Sequence, residues 1–271
     1  MHTYLSQEWR DWPIEKLEQE YSPSVWAKRT YSEYAPFLER LSNKAKLALG
    51  ASLIIDRYGP RPRNVISWAA PSSRDEIFVW IHGGYWQGSS IDEALIGADE
   101  LVSRGFGFGA IEYVLAPEVS VSAIIDDCAS ALGWLQKENP GKSVILGGHS
   151  AGAHLALSIA QRGKVDGLVL VSGVFDLRPL VPTTINEALG LDDEDAFALS
   201  PISVQHPFTC VAEVLVGGDE SPSFKAQSRV AFDYLTNNGS PTELIVAKGL
   251  DHFDIILNGE HTKSFLRLAD G

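Results

Sequence analysis

A serine between two glycines is the first residue in this sequence whose surroundings suggest chemistry. The segment Gly148-His149-Ser150-Ala151-Gly152 follows an apolar run, 143–147, and leads into small residues typical of a helix, 151–161. A Gly-x-Ser-x-Gly turn between a strand and a helix strains the serine backbone and holds its hydroxyl clear of the chain. We therefore predict that Ser150 is a nucleophile; the alternative is a glycine-bounded strand end with an incidental serine.

A nucleophilic serine needs a base, and the base needs a carboxylate to orient it. Among the seven histidines, His252 lies in a loop just after the last predicted strand, 243–247, where the base is expected. The acid is expected after the preceding strand, 211–216, where Asp219 and Glu220 are adjacent. The spacing of the residues does not choose between these two carboxylates.

A second glycine-containing segment has the features of an oxyanion-binding loop. His82-Gly83-Gly84-Tyr85-Trp86 follows the buried run 77–81. Glycines allow the backbone to turn so that the N–H groups of Gly84 and Tyr85 face a substrate oxygen, with the Ala151 N–H opposite them. The predicted oxyanion hole consists of Gly83, Gly84, Tyr85 and Ala151.

Aromatic side chains stand beside both the loop and the predicted base. Tyr85 and Trp86 end the glycine segment, and Phe253 follows His252. Aromatic walls suit a flat ring, so we predict that these three residues bind substrate; ordinary core packing explains them equally well.

Around these motifs, apolar runs alternate with helical patterns. The predicted strands are 64–68, 77–81, 107–113, 143–147, 167–171, 211–216 and 243–247, and the predicted helices are 91–104, 120–138, 151–161, 223–237 and 262–268. This alternation predicts an α/β fold with a mostly parallel sheet covered by helices on both faces. We predict one domain over 1–271, with a helical segment, 1–50, packed on it and a proline-containing insertion, 173–210, acting as a lid over the site.

Composition narrows the function classes. The net charge of −13 argues against nucleic acid and anionic membranes as partners. Cys128 and Cys210 are too far apart in sequence for a disulfide framework or a zinc motif, so no metal site is expected. The N-terminus, residues 1–8, lacks the basic start and apolar core of a signal peptide, and no apolar run is long enough to span a membrane. We expect a cytoplasmic protein.

Taken together, the motifs resemble those of the kynurenine formamidase (arylformamidase) family of α/β hydrolases. The matching segments are Tyr21-Ser22-Pro23-Ser24, His82-Gly83-Gly84-Tyr85-Trp86-Gln87, Gly148-His149-Ser150-Ala151-Gly152-Ala153-His154-Leu155-Ala156, Val171-Ser172-Gly173-Val174-Phe175-Asp176-Leu177, Ser221-Pro222-x-Phe224-x-x-Gln227-Ser228 and Asp251-His252-Phe253. The resemblance implies an α/β-hydrolase fold, Ser150 as nucleophile and His252 as base. In this family the acid directly precedes the Ser-Pro pair, usually as Asp; that position is Glu220 here.

The activity that the resemblance implies is hydrolysis of an N-acyl arylamine, above all N-formyl-L-kynurenine to L-kynurenine and formate. It implies a small aromatic amide as the partner and no metal or organic cofactor, and it leaves a homodimer open. A broad carboxylesterase and a non-catalytic ligand-binding relative are the alternatives. A binding protein would typically have lost one of the three catalytic groups, and here Ser150, His252 and Glu220 fill all three roles.

Overall fold

An eight-stranded sheet forms the centre of the computed structural model, which describes residues 8–270. The signal-peptide prediction concerns mainly residues 1–7, which lie outside the described range. The strands are β1 (Ile54–Arg57), β2 (Val65–Ala69), β3 (Glu76–Ile81), β4 (Gly107–Ile111), β5 (Ser143–His149), β6 (Gly167–Val171), β7 (Val211–Gly217) and β8 (Thr242–Ala247).

The sheet is parallel from β4 to β8 and antiparallel at one edge. The spatial order is β1-β2-β4-β3-β5-β6-β7-β8, and only the β1–β2 and β2–β4 pairs are antiparallel. The predicted α/β architecture is confirmed. Strand β1 was not predicted, because it is a short edge strand with Ile55 67% exposed, so it lacks a buried apolar pattern.

Helices cover both faces of the sheet. They are α1 (Ile14–Glu20), α2 (Pro23–Trp26), α3 (Tyr31–Leu49), α4 (Ile91–Ala94), α5 (Ala98–Ser103), α6 (Val121–Glu138), α7 (Ala151–Ala160), α8 (Asn186–Leu189), α9 (Asp193–Ala198), α10 (Pro222–Asn237), α11 (Asp254–Leu257) and α12 (Glu260–Asp270). None of these helices of residues 8–270 is both long and apolar enough to cross a bilayer.

Strand β3 shows how one segment contributes to two cores. Side chains alternate between the faces of a strand, so Val79 belongs to the core beneath α6 and α7, while Phe78 and Trp80 belong to the core on the other face. That second core also contains Leu38 of α3 and Phe265 of α12. Because both faces are buried, the central strands are apolar throughout rather than alternating.

The predicted helix 91–104 is wrong in one respect. The chain forms two short helices, α4 and α5, separated by Leu95, Ile96 and Gly97. Gly97 has φ 88°, and a Cβ atom there would overlap the Thr262 hydroxyl of α12. The close approach of α12 therefore breaks the helix at a residue that only glycine can fill without strain. Apolar periodicity cannot reveal such a tertiary contact.

The insertion 173–210 lies against α7. The carbonyl oxygen of Leu199 accepts a hydrogen bond from His154 Nε2 at 2.8 Å, and that of Pro201 accepts one from Gln161 Nε2 at 2.6 Å. Val174 and Phe175 are buried in the same core as α7. The predicted helical piece at 186–189 is present as α8, and α9 was not predicted.

Candidate active site

Ser150 occupies a strained turn between β5 and α7. Its backbone has φ 56° and ψ −120°, a conformation that costs a non-glycine residue of order 1–3 kcal/mol. A Cβ atom on Gly148 would overlap the carbonyl oxygen of Gly152, and one on Gly152 would overlap that of Ile81. The two glycines are therefore required by backbone packing, which holds the serine in this conformation at the end of the strand.

His252 and Glu220 form a buried pair beside this turn. His252 Nδ1 lies 2.7 Å from Glu220 Oε2, and both side chains are almost fully buried. The other carboxylate oxygen, Oε1, accepts hydrogen bonds from the Ser172 hydroxyl at 2.5 Å and from the Gly217 N–H at 2.7 Å. These two donors bind Oε1 and thereby keep Oε2 oriented toward the imidazole of His252.

The neighbouring carboxylate, Asp219, points away from the imidazole. Its oxygen lies 3.5 Å from Lys28 Nζ, and 44% of its side chain is exposed. Glu220 is followed by Ser221, which caps α10 by accepting the Phe224 N–H at 3.1 Å. The turn into α10 therefore brings Glu220, rather than Asp219, to His252.

Ser150 and His252 line the same cavity, which has a volume of about 350 Å³. Within the described residues, the Ser150 hydroxyl makes no hydrogen bond to a protein group. Hydrogen bonds between a nucleophile and its base are often long until substrate is bound, so a shared cavity is compatible with the serine–histidine pair.

The predicted oxyanion loop borders the cavity next to the serine. Gly83, Gly84 and Tyr85 line it, and a Cβ atom on Gly83 would be 3.1 Å from Ser150 Cβ. Across residues 8–270, the N–H groups of these three residues and of Ala151 donate no hydrogen bond to the protein. Unpaired donors beside Ser150 are what a bound oxyanion would require.

The aromatic residues are divided between the cavity wall and the core. Tyr85 and Phe253 line the cavity as predicted. The prediction for Trp86 was wrong: its side chain is fully buried and packs edge-on against His154, with ring centroids 5.0 Å apart. The left-handed backbone at Tyr85 and Trp86, with φ 50° and 60°, turns the second ring inward, which sequence adjacency could not reveal.

The cavity wall comes from the N-terminal segment rather than from the insertion 173–210. Pro23, Ser24, Tyr31 and Leu38 line the cavity, and no residue of 173–210 does so. The insertion 173–210, predicted to act as a lid over the site, does not line the cavity. The reason is the apolar face of that insertion, which is buried against α7 instead.

His149 joins the serine turn to the base loop and was missed by the sequence reasoning. Its Nε2 donates a hydrogen bond to the His252 carbonyl oxygen at 2.9 Å, and the two rings pack with centroids 4.5 Å apart. Burial and the neighbouring His252 hold the pKa of His149 well below its usual range. His149 is therefore neutral at pH 7 and adds no positive charge next to His252.

Asp251 connects the loop that carries His252 to the N-terminal segment. This buried carboxylate accepts hydrogen bonds from the Tyr34 hydroxyl at 2.6 Å and from the Lys28 N–H at 2.9 Å. It also accepts the N–H groups of Phe253 and Asp254. Burial opposes ionisation of Asp251, but these four donors outweigh it and lower its pKa. The segment that forms the cavity wall thus also positions the residue next to His252.

A second buried network supports the oxyanion loop from below. His82 Nε2 lies 3.0 Å from Glu112 Oε1, and Arg63 donates to the same oxygen at 2.8 Å. The His82 ring stacks on Tyr113, whose hydroxyl donates to the Gly83 carbonyl oxygen at 3.0 Å. Burial would raise the pKa of Glu112, but its hydrogen bonds and Arg63 hold it below its usual range.

Comparisons with known proteins agree with this fold. A family model described as the α/β hydrolase fold matches residues 78–190. A kynurenine formamidase of Danio rerio is 29% identical over 271 residues, covering 92% of each chain, and one of Drosophila melanogaster is 29% identical, covering 89% of this chain and 91% of its own. A solved structure from Silicibacter sp. TM1040, described provisionally as a thioesterase, has a TM-score of 0.82 at 25% identity and covers 94% of this chain and 99% of that one.

The sheet topology, the strained serine turn and these matches define the class of protein: the chain has the α/β-hydrolase fold. The chain is similar to kynurenine formamidases along nearly its whole length, not over the serine turn alone. The resemblance predicted from the sequence motifs is confirmed.

The Glu112 network generates a prediction about loop positioning. Glu112→Gln keeps the side-chain shape but removes the charge between His82 and Arg63, so the oxyanion loop loses its support. We expect kcat on an acyl substrate to fall about tenfold, the cost of a misplaced group of order 1.4 kcal/mol, while KM changes little.

The matched control is Asp127→Asn, which breaks the Arg61–Asp127 ion pair on the outer side of α6. Both variants remove one carboxylate bound to an arginine, and only the first acts on the loop. Equal kcat values for Glu112→Gln and the wild type, measured at saturating substrate, would contradict the positioning role.

Proposed function

We propose that this protein is a serine hydrolase that cleaves the amide of N-acyl arylamines, with N-formyl-L-kynurenine as its substrate and L-kynurenine and formate as products. The observation that carries the proposal is the buried 2.7 Å contact between His252 Nδ1 and Glu220 Oε2, at the cavity that Ser150 also lines. The relatives that share this chain over about nine-tenths of its length bear the name kynurenine formamidase, which supports the choice of substrate.

The first half of the reaction forms an acyl-enzyme. Ser150 Oγ attacks the formyl carbon while His252 Nε2 accepts the hydroxyl proton. Glu220 accepts the Nδ1–H of His252, fixes the tautomer and stabilises the imidazolium that forms. The negative charge on the formyl oxygen is met by the free N–H groups of Gly84, Tyr85 and Ala151.

The second half releases both products. His252 gives its proton to the aniline nitrogen, so that the C–N bond breaks and the amine leaves. Water, deprotonated by His252, then attacks the formyl ester of Ser150, and formate departs as the serine takes back its proton. Apart from the water that hydrolyses the ester, the proposed cycle uses side chains and backbone groups of this chain.

Substrate preference tests the proposal. We expect kcat/KM to be higher for N-formylkynurenine than for N-acetylanthranilate or p-nitrophenyl acetate, because Tyr85 and Phe253 give the cavity aromatic walls and the relatives that match nearly the whole chain bear the name kynurenine formamidase. Ser150→Ala should lose several orders of magnitude in kcat with the fold intact. Preference for the ester would favour a carboxylesterase, and turnover by the alanine variant at the wild-type rate would refute the nucleophile.

The two adjacent carboxylates provide a matched pair of variants. Glu220→Gln should lower kcat by roughly 10³–10⁴, because a neutral amide neither fixes the tautomer nor stabilises the imidazolium. Asp219→Asn removes an equal charge one residue away and should cost less than about tenfold, as expected for a solvent-exposed group.

Circular dichroism should show both proteins folded, since each substitution preserves side-chain size. A larger kcat loss in Asp219→Asn than in Glu220→Gln would mean that the acid has been assigned to the wrong residue.

A further inference from the structure

Glu93 of α4 is a carboxylate in the wall of the cavity that the proposed mechanism does not use. It is partly buried, and its Oε1 accepts a hydrogen bond from the Tyr31 hydroxyl at 2.6 Å. Within residues 8–270, no lysine or arginine forms an ion pair with it. Its neighbour Asp92, by contrast, pairs with Lys46 at 2.7 Å on the outer side of the helix.

The described side chains that line the cavity carry negative charge and no lysine or arginine charge. Glu93 is the one acidic residue among the described lining residues, and none of them is a lysine or an arginine. His149, which also lines the cavity, is neutral because burial lowers its pKa. A partly buried carboxylate without a cationic partner attracts a cation more strongly than an exposed one, because solvent screens it less.

Tyr31 orients this carboxylate without neutralising it. Burial and the adjacent Glu93 raise the pKa of the Tyr31 hydroxyl, so it keeps its proton and acts as a donor. Because Tyr31 bonds to Oε1, the other oxygen of Glu93 has no protein partner in the described part of the chain. One acceptor oxygen is thus available to a ligand.

A series of side-chain contacts connects Glu93 with His252. The Phe253 ring packs against the His252 ring at 5.5 Å between centroids and against the Tyr31 ring at 5.7 Å. The Tyr31 hydroxyl in turn donates to Glu93, so the side chains of Phe253 and Tyr31 lie between Glu93 and His252. Ser150 and Glu93 line the same cavity, so a substrate bound at Ser150 shares this cavity with the carboxylate.

We propose that Glu93 binds an aliphatic ammonium group of the substrate, so that the site selects aryl amides whose side chain carries an amine. This inference rests on the proposed function, since it names the part of the substrate that lies away from the bond being cleaved. Glu93 acts on binding, and the chemistry at Ser150 does not depend on it.

Three product-like ligands separate the possible charges. L-kynurenine carries an ammonium and a carboxylate, kynuramine carries only the ammonium, and 4-(2-aminophenyl)-4-oxobutanoate carries only the carboxylate. Titration calorimetry with the wild-type protein should give kynuramine an affinity at least equal to that of kynurenine. The oxobutanoate should bind about tenfold more weakly, the size expected for one partly screened ion pair.

Two substitutions assign the preference to a residue. Glu93→Gln keeps the acceptor for Tyr31 but removes the charge, so the difference between the amine ligands and the oxobutanoate should disappear. Asp92→Asn removes the same charge from the adjacent, outward-facing position and should leave the difference as it is in the wild type. A wild-type protein that binds all three ligands equally would overturn the inference without any variant, as would a loss of preference in Asp92→Asn equal to that in Glu93→Gln.

Measuring both binding and turnover distinguishes failure of the ammonium site from failure of the proposed function. Amine-selective binding that depends on Glu93, together with no hydrolysis of N-formylkynurenine, would support the ammonium site and refute the proposed function. Hydrolysis of N-formylkynurenine without amine-selective binding would support the function and refute the ammonium site.

Discussion

The left-handed backbone of Ser150 is the constraint on which the site depends. At φ 56° the residue is strained, and the turn is kept only because β5, α7 and the end of β3 pack around it without room for a side chain at 148 or 152. This packing places the Ser150 hydroxyl next to the first N–H groups of α7. The eight-stranded sheet thus acts as a rigid support for one turn.

The other catalytic candidates reach this point because parallel strands end at the same edge. Glu220 follows β7 and His252 follows β8, and the Asp219 N–H donates to the Leu250 carbonyl oxygen at 3.0 Å, which joins the two loops. The Ser172 hydroxyl, just after β6, also bonds to Glu220. Loops after three neighbouring strands are therefore hydrogen-bonded to each other, so the carboxylate and imidazole are placed before substrate arrives.

Part of this arrangement could be predicted from the sequence, and the limits have physical causes. The strands and the serine turn were predictable because burial on both faces and close backbone approach leave local patterns of apolar residues and glycines. Glu220 and Asp219 could not be separated by spacing, since they are adjacent and only the turn into α10 decides which one faces His252. The family resemblance was needed for that choice.

Long-range contacts account for the predictions that failed. The break at Gly97 is imposed by α12, the inward turn of Trp86 by a left-handed backbone, and the cavity wall by residues 23–38, which are far from the motifs in sequence. His149, Asp251 and Glu112 were missed for the same reason. Each acts through a partner that folding brings near, and no local pattern distinguishes such a residue from an ordinary core or loop residue.

The central claim is that Ser150, His252 and Glu220 act as one unit, and a double variant tests it most directly. The measurement is kcat on N-formylkynurenine for Ser150→Ala, Glu220→Gln and the protein that carries both substitutions. Groups that act through one nucleophile lose their effect once it is gone, so the double variant should be within about threefold of Ser150→Ala alone. Losses that multiply in the double variant would contradict the account, because Glu220 would then act independently of the serine.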